Sequence, residues 1–184
     1  ILKKWMNLVN LELNIDSDKA SYSEARLLCY GSYKLGVSTP TGDIDALVLA
    51  PIYVDRDKHF FGTLYQLLLS ISQDNDQISQ LASINHEYSI TPLIEMQFYG
   101  VSVDLVFARL PDVCSLEGDI LSNGLSKREN LSNDSLLRNM DEKMRRSYNG
   151  FRNAEMILNS VIGDISIESD EVYEKLNSFR NLLR

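Results

Sequence analysis

The sequence predicts an α+β fold with a single core, and three observations support that prediction. Apolar residues recur at helical spacing near both ends of the chain. Between those segments, two runs alternate apolar and polar residues as strands do, and a third run is almost continuously apolar. The chain has 184 residues, of which 44% are hydrophobic and 24% charged, an ordinary composition for one globular domain.

The predicted elements before Pro51 are a helix, two strands and a short helical turn. Apolar residues at helical spacing predict a helix over residues 1–13. Residues 26–30 form a short apolar strand, and one helical turn is expected over residues 34–37. Residues 44–50 are almost continuously apolar, which predicts a strand covered on both faces.

A longer helix is predicted after that strand. Residues 55–57 have the charge and capping types of a helix start. The apolar stripe that follows consists of Phe60, Phe61, Leu64, Leu67 and Leu68. We interpret Phe60 and Phe61 as core residues and not as a platform for stacked bases. Residues 73–76 are expected to form a loop, and residues 78–84 are ambiguous, an edge strand being one interpretation.

A hairpin is predicted next. Residues 94–98 alternate apolar and polar, Gly100 marks a tight turn, and residues 101–107 alternate again. The alternation puts Asp104 on the face opposite a continuous apolar row. A charged residue inside such a strand is rarely a core residue and needs a partner.

The last third of the chain reads as a loop-rich segment followed by helices. Residues 112–135 are expected to be loop-rich, and apolar spacing over residues 134–161 predicts a helix. Residues 163–170 form a polar break, and residues 171–184 begin another helix. Because the chain starts without an initiator Met and stops within that helix, we expect it to be a piece of a longer protein.

The stretch around the second strand carries the candidate chemistry. Asp43 and Asp45 are one residue apart, so their side chains point the same way while Ile44 turns into the fold. Two such carboxylates repel each other unless a cation or proton lies between them, and they suit a hard divalent cation. Gly31 and Ser32 offer backbone N–H groups and a hydroxyl to a triphosphate. The combination predicts metal-dependent nucleotidyl transfer; the alternative is a strand cap in a solvated loop.

Net charge, cysteine content and the lack of long apolar runs limit which partners and which cellular compartment are expected. The formal net charge of −8 does not favour binding of a polyanion such as RNA, so most of the grip on a nucleic acid would come from other parts. Cys29 and Cys114 are too few for a disulfide framework and suit reduced thiols inside a cell. No signal peptide or long apolar run is present, so no membrane partner is expected.

A Gly-Ser turn followed by D-x-D, with a third Asp on a later strand, resembles the nucleotidyltransferase superfamily that includes DNA polymerase beta. The closer likeness is to the eukaryotic nuclear-type poly(A) polymerases. Residues 30–37, YGSYKLGV, resemble their FGSYRLGV, and residues 42–51, GDIDALVLAP, resemble ADIDALxVAP. Residues 54–61, VDRDKHFF, are similar to V-x-R-x-DFF, with one residue shifted in the spacer.

Later segments continue the resemblance in the same order. Residues 103–110 read VDLVFARL and resemble IDLLFARL. Residues 134–139 and 146–152 resemble DSLLKN and RSLNGCR, and residues 179–184 resemble the start of the helix that opens the family's middle domain. The likeness therefore covers most of the chain.

The resemblance implies a nucleotidyltransferase palm fold, a mixed β-sheet with helices packed mainly on one face. Residues 1–162 would be the catalytic domain, and residues 163–184 a linker and the truncated first helix of the middle domain. In the family, the middle and C-terminal domains hold parts of the nucleotide pocket and most RNA contacts. This chain alone is therefore expected to show little activity.

The resemblance also implies template-independent addition of AMP from ATP to RNA 3′ ends in the nucleus, as in mRNA polyadenylation, with 3′-end processing factors as partners. Asp43 and Asp45 would bridge two Mg²⁺ or Mn²⁺ ions. Asp104 would complete the site of the ion that activates the 3′-hydroxyl. The nucleotide-binding residues assigned on this basis are Gly31, Ser32, Lys34 and Asn149.

Two features of the last complete helix leave alternatives open. Asn149 resembles a family residue of the nucleotide or primer pocket, and with Gly150 it equally fits an Asn-Gly turn that interrupts the helix. The basic residues of this helix fit either a solvated face or an RNA contact. They are Lys143, Arg145, Arg146 and Arg152.

One position departs from the family pattern. The strand before Asp104 reads IKLKFDG or similar in the family, with a lysine near the ATP phosphates. This chain has Glu95 at that position and Gln97 where a second lysine often lies. A carboxylate there should repel a triphosphate, so we expect altered nucleotide handling, or a cation supplied by Lys34 or by a missing domain.

Two rival functions remain. Another terminal nucleotidyltransferase, such as a uridylyltransferase, would share the same motifs, because the base-selecting residues would fall largely beyond Arg184. A catalytically weakened nucleotide- or RNA-binding module is a rival of a different class. Glu95 supports that second rival, and the intact set of Asp43, Asp45 and Asp104 opposes it.

Overall fold

The computed structural model describes most of the chain, namely residues 1–16, 24–74, 76–85, 89–110, 137 and 140–162. The predicted loop over residues 112–135 and the break and helix predicted over residues 163–184 lie outside these residues. The domain boundary at residue 162 therefore stays a prediction. Among the described helices, none has the length and apolar character needed to cross a membrane.

Within the described residues, five strands form one mixed sheet: β1 (Arg26–Cys29), β2 (Ile44–Pro51), β3 (Ile78–Ile84), β4 (Leu93–Phe98) and β5 (Val101–Leu110). Their order across the sheet is β1-β2-β5-β4-β3. The β2 and β5 strands are parallel, and all other neighbours are antiparallel. The central strand is therefore β5, with β2 on one side and β4 on the other. This mixed sheet, accompanied by helices, confirms the predicted α+β class.

The helices of the described residues are α1 (Leu2–Glu12), α2 (Gly31–Leu35), a π-helix (Arg56–Leu64) that continues as α3 (Tyr65–Asp74), and α4 (Glu142–Ile162). The predictions of α1 and of a helix after residue 55 are confirmed. The short helix α2 begins earlier than the predicted turn over residues 34–37, because the Lys34 N–H already donates to the Tyr30 carbonyl at 3.3 Å. The end of α3 occupies part of the loop predicted over residues 73–76.

The start of α4 lies later than residue 134, where the apolar spacing begins. Asp141 caps the helix, because its carboxylate accepts a hydrogen bond from the Met144 N–H at 2.8 Å. Met140 is buried but lies outside the helix. Of residues 134–139, the described part of the chain includes only Leu137.

The π-helix lies where the sequence has one residue more than the family pattern. Its geometry shows in the Asp55 carbonyl, which accepts from both the His59 N–H at 3.0 Å and the Phe60 N–H at 3.3 Å. A π-type hydrogen bond spans one residue more than an α-helical bond, so a helix of this kind can accommodate one extra residue. The Asp55 side chain caps the start by accepting from the Lys58 N–H at 2.8 Å.

The core holds the N-terminal helix, the π-helix and the sheet together. Trp5 is fully buried, and its indole N–H donates to the His59 carbonyl at 2.9 Å, which fixes α1 to the π-helix. Phe60 is fully buried with its ring 5.2 Å from that of Phe107 on β5. Phe61 packs edge-on against Phe60 at 4.8 Å. The interpretation of both phenylalanines as core residues is confirmed.

The β4 and β5 strands form the predicted hairpin. Tyr99 and Gly100 in its turn both have left-handed φ angles, 49° and 79°, as a two-residue turn between twisted strands requires. The β3 strand is an edge strand of the sheet, and its pairing with β4 shifts register between Ser79 and Ala82. Residues 78–84 thus take the edge-strand interpretation.

The helix α4 is continuous through Asn149 and Gly150, so the alternative of an interrupting Asn-Gly turn is wrong. The neighbouring Tyr148 and Phe151 are buried, and burial of that face outweighs the local turn preference. The glycine has a packing role, because a Cβ added to it would lie 2.8 Å from Cε2 of Tyr30. Gly150 therefore allows Tyr30 to approach the α4 backbone.

Candidate active site

Three aspartates converge at the start of β2 and β5. The parallel register pairs Asp45 directly with Asp104, and Asp43 lies just before β2. Each of the three carboxylates offers one oxygen, and these oxygens all lie within 4.8 Å of one another. Adjacent strands lie about 4.8 Å apart, so residues in register on the same face bring their carboxylates together. Oxygen ligands in such a group suit a hard divalent cation.

The backbone before α2 is shaped to fit Asp45. The Tyr30 N–H donates to the Asp45 carbonyl at 2.9 Å, which extends the pairing of β1 with β2. Gly31 follows with a left-handed φ of 62°. A Cβ added to Gly31 would lie 2.0 Å from Asp45 Oδ2, so any side chain there would displace that carboxylate. Glycine is needed at residue 31 for both reasons.

The electrostatics of the three carboxylates favour a cation. Burial raises the pKa of Asp45, and the nearby Asp43 carboxylate raises it further. Burial also raises the pKa of Asp104, to about 6, together with repulsion from Glu95, Asp43 and Asp45. Each shift means that negative charge at this place is disfavoured without a compensating positive charge. A divalent cation held between these oxygens would supply that charge.

Glu95 lies on the other side of Asp104. In the antiparallel β4–β5 register, Glu95 is the direct partner of Asp104, so both side chains lie on the same face. Three carboxylates therefore form a row across β2, β5 and β4, made of Asp45, Asp104 and Glu95. The sequence identified Glu95 as a departure from the family pattern, and its direct pairing with Asp104 emerges only from the strand register.

Sequence reasoning gave Tyr30 no role in the site. Burial raises the pKa of the Tyr30 hydroxyl, and so do the charges of Asp45, Asp104 and Asp43, which means that the phenol lies close to all three. The ring edge at Cε2 and Cδ2 of Tyr30 lies against Gly150 of α4. A signal was present in the sequence, because Tyr30 stands where the family motif has Phe and so adds a hydroxyl beside the Gly-Ser pair.

The remaining predicted nucleotide-binding residues lie on α2 and α4. Ser32 is half-buried on α2, directly after Gly31. Lys34 Nζ on the same helix lies 2.9 Å from Glu155 Oε1 of α4, so this lysine is engaged in an ion pair. Asn149 is half-buried on α4, next to the glycine that contacts Tyr30. The structure thus joins the two helices that carry these residues. Glu155 is a residue that sequence reasoning did not single out.

The fold and the site together define a class of protein. A mixed sheet that brings three aspartates together at the starts of two adjacent strands, beside a Gly-Ser helix start, has the arrangement of a nucleotidyltransferase catalytic domain. The family model described as the poly(A) polymerase nucleotidyltransferase domain matches residues 1–161. The chain therefore belongs to the family of poly(A) polymerase nucleotidyltransferase domains. The family and the three aspartates together indicate the use of a divalent metal ion and a nucleotide.

Named relatives are similar to most of this chain but are much longer. The chain is 33% identical to a poly(A) polymerase of Schizosaccharomyces pombe over 161 residues, which are 88% of this chain and 25% of the relative. It is 31% identical to nuclear poly(A) polymerase 1 of Arabidopsis thaliana over 161 residues, 88% of this chain and 20% of the relative. The chain thus spans a quarter or less of the length of these relatives.

A solved structure of Cid1, described by its RNA terminal uridylyl transferase activity, is similar at a lower level. The identity is 20%, the TM-score is 0.35, and the match covers 55% of this chain and 28% of the other. A likeness of this extent supports neither the fold nor the activity of the present chain.

Proposed function

We propose that this chain is the catalytic domain of a template-independent polynucleotide adenylyltransferase that adds AMP from ATP to RNA 3′ ends. The observation that carries the proposal is the convergence of Asp43, Asp45 and Asp104, with oxygens within 4.8 Å of one another, in a domain of this family. In the reaction, the RNA 3′-oxygen bonds to the α-phosphorus of ATP. The bond from that phosphorus to the β-phosphate oxygen breaks, and pyrophosphate leaves.

The aspartates have distinct tasks in this proposal. Asp43 and Asp45 would hold both of two divalent ions, Mg²⁺ or Mn²⁺, and Asp104 would hold one of them. When bound, such ions activate the attacking oxygen and stabilise the leaving one. Asp104 would also help to take up the proton of the 3′-hydroxyl as the 3′-oxygen bonds to phosphorus.

The start of α2 and parts of the protein outside this chain would complete the proposed site. Gly31 and Ser32 would present backbone N–H groups and a hydroxyl to the triphosphate. The RNA 3′ end would be gripped mainly by parts outside this chain, which suits its net charge of −8. Residues 1–162 would form the catalytic domain. The name of the Arabidopsis relative supports a nuclear location, and 3′-end processing factors are the partners that this function would require.

A second candidate is a catalytically weakened nucleotide- or RNA-binding module. The observation that favours it is Glu95, whose carboxylate faces Asp104 and raises the pKa of that group. An additional negative charge beside the metal site opposes the approach of a triphosphate. The three intact aspartates favour the enzyme.

The test is nucleotide incorporation by the full-length protein, with each of the four nucleoside triphosphates and Mg²⁺ or Mn²⁺. We expect the wild type to extend an RNA primer with ATP and the double variant Asp43→Ala, Asp45→Ala to add no AMP. Glu142→Ala, which removes an exposed carboxylate from α4, is the matched control and should retain activity. Activity retained by the double variant would contradict the assignment of the site. Preference for UTP would indicate a uridylyltransferase, and no incorporation by the wild type would favour the binding module.

A further inference from the structure

An ion pair joins α2, which starts with Gly31 and Ser32, to α4, which carries Asn149. Lys34 Nζ and Glu155 Oε1 are 2.9 Å apart. The Glu155 side chain is only 17% exposed, whereas that of Lys34 is 37% exposed. Because the Glu155 carboxylate is half-buried, water solvates it less well than an exposed carboxylate, and removing its partner would leave the charge poorly compensated.

A second contact joins the same two parts of the molecule without charge. The Tyr30 ring, one residue before α2, lies so close to Gly150 that a Cβ there would be 2.8 Å from Cε2 of the ring. The same tyrosine donates its backbone N–H to the carbonyl of Asp45. A shift of α4 would therefore be transmitted through Tyr30 toward the backbone that carries Gly31 and Asp45.

We propose that Glu155 is a positioning residue of the nucleotide site, and that Lys34 acts on Glu155 and not on the phosphates of the nucleotide. This inference rests on the proposed function. The ion pair fixes α2 against α4, so that the N–H groups at Gly31 and Ser32 keep a constant place relative to Asn149 on α4. This role differs from the nucleotide-binding role that the family resemblance implied for Lys34.

The two roles for Lys34 predict effects of opposite sign when Glu155 is neutralised. If Lys34 bound phosphate, Glu155→Gln would release the lysine and leave nucleotide affinity unchanged or improved. If the pair positions α2, Glu155→Gln loosens the helix. The ATP dissociation constant and KM then rise about tenfold, with a smaller change in kcat.

The experiment measures ATP binding by equilibrium titration, and KM and kcat for AMP incorporation, in the full-length protein. The variants are Glu155→Gln, Lys34→Met and the exchange Lys34→Glu with Glu155→Lys. Both single variants should weaken ATP binding by similar factors, and the exchanged pair should restore most of the affinity. Glu142→Gln is the matched control, because it removes a carboxylate that pairs with Arg146 within α4 itself.

Two results would overturn the inference. One is unchanged or tighter ATP binding in Glu155→Gln while Lys34→Met weakens it. The other is an exchanged pair that binds ATP more weakly than either single variant, since a carboxylate at residue 34 would then face phosphate. Failure of the proposed function is distinguishable, because the wild type itself would then incorporate no AMP, whereas failure of the inference leaves wild-type activity intact.

Discussion

Each of the two strands that flank β5 places one carboxylate next to Asp104, and the surroundings of these two carboxylates differ. On the β2 side, Asp45 is in parallel register with Asp104. The chain before α2 fits around Asp45, because the Tyr30 N–H donates to its carbonyl and Gly31 has no side chain to displace its carboxylate. On the β4 side, Glu95 is in antiparallel register with Asp104 and stands where the family pattern has a cation. Both neighbours raise the pKa of Asp104.

The difference teaches that proximity of carboxylates does not by itself define a metal site. The β2 side combines close carboxylates, whose mutual repulsion is unfavourable without a cation, with a backbone that fits around one of them. The β4 side adds charge to the same place. Under the proposed function, Asp43, Asp45 and Asp104 at the starts of β2 and β5 would hold the metal ions, and Glu95 would modulate how strongly a triphosphate is bound.

The largest effect on activity is expected when a side chain is added to Gly31, which lies against Asp45 on the β2 side. Gly31→Ala would place a Cβ 2.0 Å from Asp45 Oδ2 and so rotate that carboxylate out of place. Displacing a catalytic group by about 1 Å costs roughly 100-fold in rate, so AMP incorporation by the full-length protein should fall by about that factor. The measurement is kcat with saturating ATP and metal ion.

The matched control is Gly100→Ala in the β4–β5 turn. Gly100 has a left-handed φ of 79°, comparable to that of Gly31, but a Cβ there would meet nothing within 4 Å. Both variants should lose about 1 kcal/mol of unfolding free energy from the strained φ angle, and only Gly31→Ala should lose activity. Equal activity in the two variants would show that the fit of Gly31 to Asp45 has no catalytic importance.

A smaller effect, of opposite sign, is expected on the β4 side. Glu95→Gln removes the charge opposite Asp104, and ATP should bind about fivefold more tightly, as expected for about 1 kcal/mol of relieved repulsion. Glu95→Lys should tighten ATP binding further. Equilibrium ATP titration of the full-length protein is the measurement, with Asp74→Asn at the exposed end of α3 as a control for net charge. An ATP affinity that is unchanged in both Glu95 variants would show that Glu95 does not oppose triphosphate binding.

Much of the fold could be predicted because burial imposes regular patterns on the sequence. The alternation of β4 and β5 follows from one buried and one polar face, so the hairpin and the direction of Asp104 were predictable. The continuous apolar run of β2 likewise indicated a covered strand. Asp43 and Asp45 stood out because two carboxylates that point the same way repel each other unless a cation or proton lies between them.

The features that could not be predicted depend on contacts between distant parts of the chain. Strand register decides that Asp104 has Asp45 on one side and Glu95 on the other. The alternative of a turn at Asn149 was wrong, because the helix continues through this residue. The local turn preference of Asn-Gly takes no account of the buried helix face or of the Tyr30 ring, which packs where Gly150 has no side chain. The capping residues and the apolar stripe predicted a helix after residue 55, but not the π-type hydrogen bonding over Arg56–Leu64.

The most direct test of the account is a titration of Mn²⁺ into the full-length protein, comparing the wild type with Asp104→Asn at pH 7 and pH 5. A metal ligand must be deprotonated, so affinity should rise as the pH increases through the pKa of Asp104, about 6. We predict clear Mn²⁺ binding by the wild type at pH 7, weaker binding at pH 5, and strongly reduced binding by the variant at both. Equal binding by the wild type and Asp104→Asn at pH 7 would contradict the claim that the three aspartates hold the metal.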